Sequence, residues 1–190
     1  MRRATRRYGL GVMNADPTEP GDSTRALSDL PPQNRLPALG RRGGGWVALQ
    51  LVVFALAGAT GWFGTRWAEP ARPWLWAGAG VTFAAAIVLL LAGGAGLGRQ
   101  LTPFPRPVAT GQLRQDGIYR LVRHPIYGGV ILCLLAWALA SSPLALVTFA
   151  LGCVFFEAKR RREESWLLAK YSGYEAYRGQ VRSRFIPYLW

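Results

Sequence analysis

The chain has 190 residues, of which 51% are hydrophobic and 17% are charged, and its formal net charge is +13. A length of this order suits one domain, and the apolar residues gather in blocks between charged segments, which is typical of polytopic membrane proteins. Because the basic residues flank the apolar blocks and form no single stripe interleaved with aromatics, this pattern argues against a nucleic-acid-binding protein.

Residues 1–45 precede the first apolar block. They contain eight of the 23 lysines and arginines, and the stretch between the basic clusters is rich in Pro, Asp, Ser and Gly. This composition predicts a disordered basic N-terminal arm. No apolar segment follows the first arginines, so we expect no cleaved signal peptide, and the block after Gly45 is the first membrane-insertion signal.

Four apolar blocks predict four membrane-spanning helices. The first two, residues 46–64 and 74–98, are 19 and 25 residues without a charged side chain. As helices, both are long enough to cross about 30 Å of hydrocarbon. The other two, residues 126–140 and 144–156, are shorter and are separated by a Ser-Ser-Pro sequence that ends one helix and begins the next. These two blocks predict a tight helical hairpin whose helices extend beyond their uncharged cores.

Lysine and arginine alternate in number between the segments that connect these blocks. Segments 1–45, 99–125 and 157–190 carry 8, 5 and 8 of them, whereas 65–73 carries two and 141–143 carries none. By the positive-inside rule, this alternation puts both termini and the 99–125 segment in the cytoplasm. The sequence therefore predicts an all-α, polytopic integral membrane protein with about four transmembrane helices and a cytoplasmic C-terminal helical segment.

The first polar segment that this topology brings to the cytoplasmic face contains the only histidine. His124 lies between Arg123 and Pro125 at the predicted start of the third helix, where the helix dipole favours an anion such as a carboxylate. A topology signal and an interfacial cap explain the same residues without a ligand. The two cysteines, Cys133 and Cys153, lie within apolar blocks, so we expect no disulfide and no metal site.

The second polar segment, residues 157–177, is expected to continue the fourth helix out of the membrane. Its acidic and basic residues recur four apart, so ion pairs on a solvated helix face account for them. Three tyrosines recur every third residue, which fits an interfacial belt or, less commonly, a surface that stacks on a purine. The charged pairs are Glu157 with Arg161, Lys159 with Glu163 and Arg160 with Glu164, and the tyrosines are Tyr171, Tyr174 and Tyr177.

The last 90 residues carry an ordered set of short motifs. They are Gly117-Ile118-Tyr119, Arg123-His124-Pro125-Ile126-Tyr127, Glu163-Glu164 with Leu167, then Tyr174, Tyr177 and a closing Arg184-Phe185-Ile186-Pro187. No single motif is specific, but their order is. In this order they resemble the superfamily of isoprenylcysteine carboxyl methyltransferases and phospholipid methyltransferases, over about residues 100–190. We therefore expect two transmembrane helices in residues 46–98 and a methyltransferase core in residues 99–190.

The resemblance implies an enzyme that uses S-adenosylmethionine, in a bacterial inner membrane, on a membrane-embedded acceptor. That acceptor is the carboxylate of a lipidated molecule or a lipid amine. The cofactor would lie between the loop before the hairpin and the helix after it. Residues implied to bind the cofactor are Gly111, Gln112, Leu113, Arg114 and Tyr119 along the nucleoside, Arg123, His124, Pro125, Ile126 and Tyr127 at the amino-acid end, and Glu163 on a hydroxyl or amine.

The same resemblance implies a catalytic group formed by Lys159, Arg160 and Glu164, with Lys159 or Arg160 facing the acceptor. A carboxylate acceptor needs no base, whereas an amine acceptor needs one, for which the candidates are Glu163, Glu164 and His124. The acceptor stays open, because family members often have Leu-Val-Thr-Ser-Gly where this chain has Leu-Arg-Gln-Asp-Gly at 113–117.

Two other functions fit parts of the sequence. Sterol-type membrane reductases also carry an Arg-His-Pro segment and a tyrosine-rich tail, but they use a reduced nicotinamide cofactor, and their usual Asn after the proline is Ile126 here. A non-enzymatic membrane protein could use the basic clusters to bind anionic lipid head groups.

Overall fold

The computed structural model describes residues 37, 39, 40, 42–108 and 110–189. Most of the predicted N-terminal arm therefore lies outside the described residues, and its disorder stays a prediction. Over the described ranges the fold is all-helical, as expected, with no strand. Its helices are α1 (Gly44–Phe63), α2 (Arg72–Leu97), α3 (Pro125–Ser141), α4 (Ala145–Lys170) and α5 (Tyr174–Gln180), with short 3-10 helices at Gly98–Gln100 and Gly117–Arg120.

Helices α1 and α2 are long and apolar enough to cross a membrane. They contain 20 and 26 residues, which at 1.5 Å per residue gives lengths of about 30 and 39 Å. Large apolar side chains such as Leu51, Val81 and Leu91 are exposed on them, which suits contact with lipid tails. The first and last residues of α1 and α2 lie within two residues of the ends of the predicted blocks. The agreement is close because a long uninterrupted apolar run forms a helix.

Helices α3 and α4 form the expected hairpin. Pro125 lies in the first turn of α3, where its missing N–H costs no helical hydrogen bond. In the connection, Ser142 Oγ accepts a hydrogen bond from the Ala145 N–H at 3.2 Å and donates to the Thr60 carbonyl of α1 at 2.8 Å. At 17 residues, α3 is shorter than α1 and α2. Helix α4 is apolar as far as Phe156 and charged beyond it, and it extends the fourth predicted helix to Lys170.

Small residues allow α2 and α3 to approach closely. A Cβ at Gly129 of α3 would lie 2.7 Å from Leu90 Cγ and 3.0 Å from the Ala86 carbonyl oxygen, both in α2. A Cβ at Gly93 of α2 would lie 3.0 Å from Pro125 Cγ. Close backbone approach of this kind replaces the hydrophobic effect as a source of helix association in lipid. It holds the beginning of α3 against α2.

The chain after α5 folds back against the beginning of α3. The backbone N–H groups of Arg123 and His124 donate to the carbonyls of Ser183 at 3.1 Å and Arg184 at 2.8 Å. The Phe185 side chain is fully buried in the apolar core between α1, α3 and α4. This C-terminal segment, residues 181–189, thus covers the residues that precede α3.

Candidate functional site

A cleft opens at the end of the helices where α3 begins. Side chains from residues 97–108, 112–127 and 163–177 line it, and its cavity volume is about 140 Å³. Ten of the eleven predicted cofactor-binding residues line this cleft, namely Gln112, Leu113, Arg114, Tyr119, Arg123, His124, Pro125, Ile126, Tyr127 and Glu163.

The eleventh, Gly111, lies beside the cleft, where its carbonyl accepts a hydrogen bond from the Tyr171 hydroxyl at 2.7 Å. The cleft therefore brings together two segments that are 40 residues apart in sequence. His124 comes from the first segment and Glu163 from the second, and both line the same cavity. This proximity is the spatial condition on which the predicted shared ligand site depends.

Glu163 is held at the cleft by Tyr127, whose hydroxyl donates a hydrogen bond to Glu163 Oε2. The Lys159 ammonium lies 5.2 Å from the centre of the Tyr127 ring. Lys159 is buried and donates to Gln50 Oε1 at 2.6 Å and to the Pro103 carbonyl at 3.2 Å. These contacts join α1, the segment after α2 and α4 directly beside the cleft.

Glu164 is the centre of a buried ion-pair network behind the cleft wall. Its carboxylate lies 3.0 Å from Arg123 Nε, 3.1 Å from His124 Nε2 and 2.7 Å from an Arg160 guanidinium nitrogen. Burial alone raises the pKa of the Glu164 carboxyl, but the hydrogen bond with His124 and the charges of Arg160 and Arg123 outweigh it, so the pKa stays well below its usual range. Glu164 is therefore ionised at neutral pH.

The network also fixes the Arg-His-Pro stretch. The Arg123 guanidinium donates to the carbonyls of Val181 and, at 3.1 Å, Arg182. The His124 ring stacks on Tyr127 with a 5.5 Å centroid separation and an interplanar angle of 6°. Because both residues are held from several sides, their cleft-facing atoms have little freedom to move.

The prediction of ion pairs on a solvated face of α4 is wrong for two of the three pairs. Lys159 is 1% exposed and binds Gln50 Oε1, and it forms no salt bridge with Glu163. The spacing of Arg160 and Glu164 correctly indicated an ion pair, but this pair does not lie on a solvated face: the two residues are 6% and 5% exposed. The residues before α3 cover it, with Arg123 and His124 both bonded to Glu164. The pair of Glu157 with Arg161, at 2.7 Å, does reach solvent through Arg161.

The three residues predicted to be catalytic do not line the cleft. Arg160 binds both Glu157 and Glu164, Glu164 binds the Arg-His-Pro stretch, and Lys159 binds Gln50 of α1. Each of them has protein partners, and their catalytic roles stay predictions.

Five tyrosines line the cleft, and the helical stripe expected for three of them is interrupted. Helix α4 ends at Lys170, one residue before Tyr171. The Ser-Gly turn after Tyr171 separates it from α5, which begins at Tyr174. Tyr174 and Tyr177 are only 1% and 4% exposed, so a tyrosine belt at a lipid interface is the wrong interpretation for them. They pack with Leu113 and Leu167 instead.

Sequence reasoning missed two parts of this site. Residues 97–108 supply one wall of the cleft, although only their alternating prolines, at 103, 105 and 107, hinted at a constrained loop. Residues 181–184 bind Arg123 and His124 through backbone carbonyls. Carbonyl contacts leave no mark on side-chain patterns, so the closing Arg184-Phe185-Ile186-Pro187 motif pointed to this segment without revealing its contacts.

A family model described as phospholipid methyltransferase matches residues 74–173, which is more than half of the chain. The chain belongs to this family. The match includes all but the first two residues of α2, the whole of α3 and α4, and every predicted site residue, and it confirms the resemblance drawn from the motifs. It supports a membrane methyltransferase. No curated protein matches the chain.

In this member of the phospholipid methyltransferase family, two segments outside the matched range complete the site. Helix α1 supplies Gln50, which binds Lys159, and the C-terminal segment supplies the carbonyls that hold Arg123 and His124. The candidate site therefore depends on parts of the chain that precede and follow the family match.

Proposed function

We propose that this chain transfers a methyl group from S-adenosylmethionine to an acceptor embedded in the membrane. The acceptor is a carboxylate of a lipidated molecule or a lipid amine. The observation that carries the proposal is the convergence of ten predicted cofactor-binding residues on one cavity beside the apolar helices. A site there has access both to a water-soluble cofactor and to a lipid.

The chemistry of the cleft lining fits this cofactor. Aromatic rings suit its purine, and the Glu163 carboxylate suits a hydroxyl or an amine. Among the described residues, three side-chain atoms are buried without a hydrogen-bond partner: Arg114 Nε, the Tyr174 hydroxyl and, outside the cleft lining, Arg162 Nε. Arg114 and Tyr174 line the cleft, so a polar ligand there would satisfy groups that the protein leaves unsatisfied. When bound, S-adenosylmethionine supplies a methyl group that its sulfonium already activates.

The contribution of the chain is then mainly positioning and exclusion of water. Residues 111–114 and Tyr119 would lie along the nucleoside and residues 123–127 along the amino-acid end. Tyr127 orients Glu163, and the ion pairs of Glu164 hold the Arg-His-Pro stretch rigid. Rigid support of this kind keeps reacting atoms in a near-attack geometry.

The electrostatics distinguish the two glutamates. An amine acceptor must lose a proton before it attacks, and Glu164, with its lowered pKa and its basic partners, is a poor base at neutral pH. Glu163 faces the cleft and is the better candidate for that role. Lys159, beside the Tyr127 ring, is a better candidate than Arg160 for facing the acceptor, because Arg160 already binds two carboxylates.

We also propose that α3 and the apolar part of α4, residues 145–156, cross the bilayer together with α1 and α2. The distribution of lysine and arginine supports this four-helix topology. Both termini would then lie on the cytoplasmic side of a bacterial inner membrane. The cleft would then open to the cytoplasm, where the cofactor is available.

The experiment is calorimetry on the full chain purified in detergent. Wild-type protein is expected to bind S-adenosylmethionine, and Glu163→Gln is expected to bind it about 10- to 100-fold more weakly, since a hydrogen bond to a charged group contributes about 1.5–3 kcal/mol. Glu175→Gln is the matched control, because this carboxylate is exposed on α5 and, within the described part of the chain, pairs with Arg178 alone.

Mass spectrometry of native lipids incubated with enzyme and cofactor identifies the acceptor. A gain of one methyl group that is lost in mild base indicates a carboxyl ester, and a base-stable gain indicates an amine. Tight binding of NADPH with no binding of S-adenosylmethionine would instead support the reductase. If a folded Glu163→Gln variant bound the cofactor as tightly as wild type, the proposed site would be refuted.

A further inference from the structure

The five tyrosines that line the cleft differ in what their hydroxyl groups do. Four of them donate to acceptors within the protein: Tyr119 to the Gly93 carbonyl at 3.2 Å, Tyr127 to Glu163, Tyr171 to the Gly111 carbonyl at 2.7 Å, and Tyr177 to the Tyr119 carbonyl at 2.7 Å. The fifth, Tyr174, has no partner for its hydroxyl in the part of the chain that the structure describes.

Tyr174 is also the most deeply buried of the five, at 1% exposed. Its ring packs edge-on against Tyr177, with the centroids 5.8 Å apart. Burial raises the pKa of its phenol, so the group stays protonated and is able to donate a hydrogen bond. Phenylalanine would supply the same ring without the polar atom.

A buried hydroxyl without a partner costs about 1–3 kcal/mol. Native proteins satisfy nearly all such groups, so each exception needs an explanation. Because Tyr174 lines the cleft, the explanation closest at hand is a hydrogen-bond acceptor on a ligand.

The position of Tyr174 indicates which part of a ligand it meets. Its cluster includes Leu113, and the next residue, Arg114, has the other unpartnered buried polar atom of the cleft, Nε. Both atoms are hydrogen-bond donors, so this side of the cleft suits a ligand portion with several acceptors. Ring nitrogens of a purine, hydroxyl oxygens of a ribose and the carboxylate of an amino acid are all such acceptors. Arg114 belongs to the segment proposed to lie along the nucleoside, which favours the nucleoside acceptors over the carboxylate.

We infer that the Tyr174 hydroxyl is a further ligand-binding group, which donates a hydrogen bond to the nucleoside portion of the cofactor. The inference rests on the proposed function, because it takes S-adenosylmethionine as the ligand of the cleft. It adds a specificity-determining residue to the nucleoside end of the site. It also distinguishes Tyr174 from the other four tyrosines, whose hydroxyls hold the cleft walls together.

The test compares Tyr174→Phe with Tyr188→Phe, a control at an exposed position outside the cleft. Tyr174→Phe is expected to leave the unfolding midpoint of the ligand-free protein unchanged or higher, because no internal hydrogen bond is lost. Its affinity for S-adenosylmethionine in calorimetry is expected to fall about 5- to 15-fold, the equivalent of one hydrogen bond of about 1–1.5 kcal/mol. Tyr177→Phe, which loses its bond to Tyr119, is expected to lower the unfolding midpoint.

The second probe is 5′-methylthioadenosine, which has the nucleoside but lacks the amino-acid end. An equal loss of affinity for both ligands supports the inference. A loss for S-adenosylmethionine alone overturns the nucleoside assignment, and a large drop in the unfolding midpoint of Tyr174→Phe shows that the hydroxyl has a protein partner. Unchanged affinity of Tyr174→Phe refutes the inference but leaves the proposed function intact, whereas a wild-type protein that binds neither ligand refutes the proposed function itself.

Discussion

Replacing Glu164 with glutamine removes one negative charge from the buried network and keeps the shape of the side chain. The change leaves the Arg123 guanidinium without its carboxylate partner, and Arg123 is only 8% exposed. Breaking a buried ion pair by removing one partner costs about 3–5 kcal/mol. Arg160 keeps its 2.6 Å contact with Glu157, and Arg123 keeps two backbone carbonyls, so we expect the lower end of this range.

A loss of about 3 kcal/mol corresponds to roughly a 100-fold change in the unfolding equilibrium. Unfolding of detergent-solubilised protein by increasing amounts of a denaturing detergent, followed by tryptophan fluorescence, measures it. Glu175→Gln, which breaks an exposed pair with Arg178, is expected to cost about 0–1 kcal/mol. A Glu164→Gln variant as stable as this control would refute the idea that the ion pairs hold the Arg-His-Pro stretch.

Glu164 is expected to make the folded protein less stable as the pH falls. Because the folded-state pKa of Glu164 is lowered, its contribution to stability is complete above the unfolded-state pKa of about 4.3 and is lost as the pH falls from there through the folded-state pKa. Wild-type protein should therefore lose more stability than Glu164→Gln when the pH is lowered from 6 to about 3. Parallel losses in the two proteins would assign acid unfolding to other groups.

Two further predictions concern the C-terminal segment and the topology. In Gly128→Ala, the new Cβ would lie within 2.7 Å of the Phe185 carbonyl carbon, so we expect a destabilisation of about 1–3 kcal/mol in the same unfolding assay. Gly58→Ala is the control: open space surrounds its Cβ, and no measurable loss of stability is expected. In a cysteine-free background, Ser172→Cys should react with a membrane-impermeant thiol reagent in inverted vesicles but not in intact spheroplasts; labelling in spheroplasts would contradict cytoplasmic exposure of the cleft.

Much of the helical framework was predictable from local sequence. The long apolar runs indicated α1 and α2 to within two residues, and Pro125 marked the beginning of α3. The helix-forming residues after Phe156 correctly predicted that α4 extends beyond its apolar part. Each of these features depends on hydropathy or on a backbone restraint within a few residues, so no knowledge of the tertiary structure is needed.

The candidate site was only partly predictable. Its ordered motifs identified the segments that meet, but spacing on a helix does not reveal which side of that helix becomes buried. Arg160 and Glu164 therefore had the spacing of a solvated pair and proved to be covered. The three-residue spacing of the tyrosines likewise carried no information about the turn before Tyr174 or the burial of its ring.

Composition, the apolar blocks and the motif order were enough to determine an all-helical membrane protein of the methyltransferase kind. The tertiary structure alone decided that Glu164 supports the site from behind and that Tyr174 keeps an unsatisfied hydroxyl in the cleft. The physical reason is the range of the interactions: hydropathy and helix formation act between near neighbours. Burial of a charge or a hydroxyl instead depends on segments that approach from 40 or more residues away, such as Arg123 and Glu164.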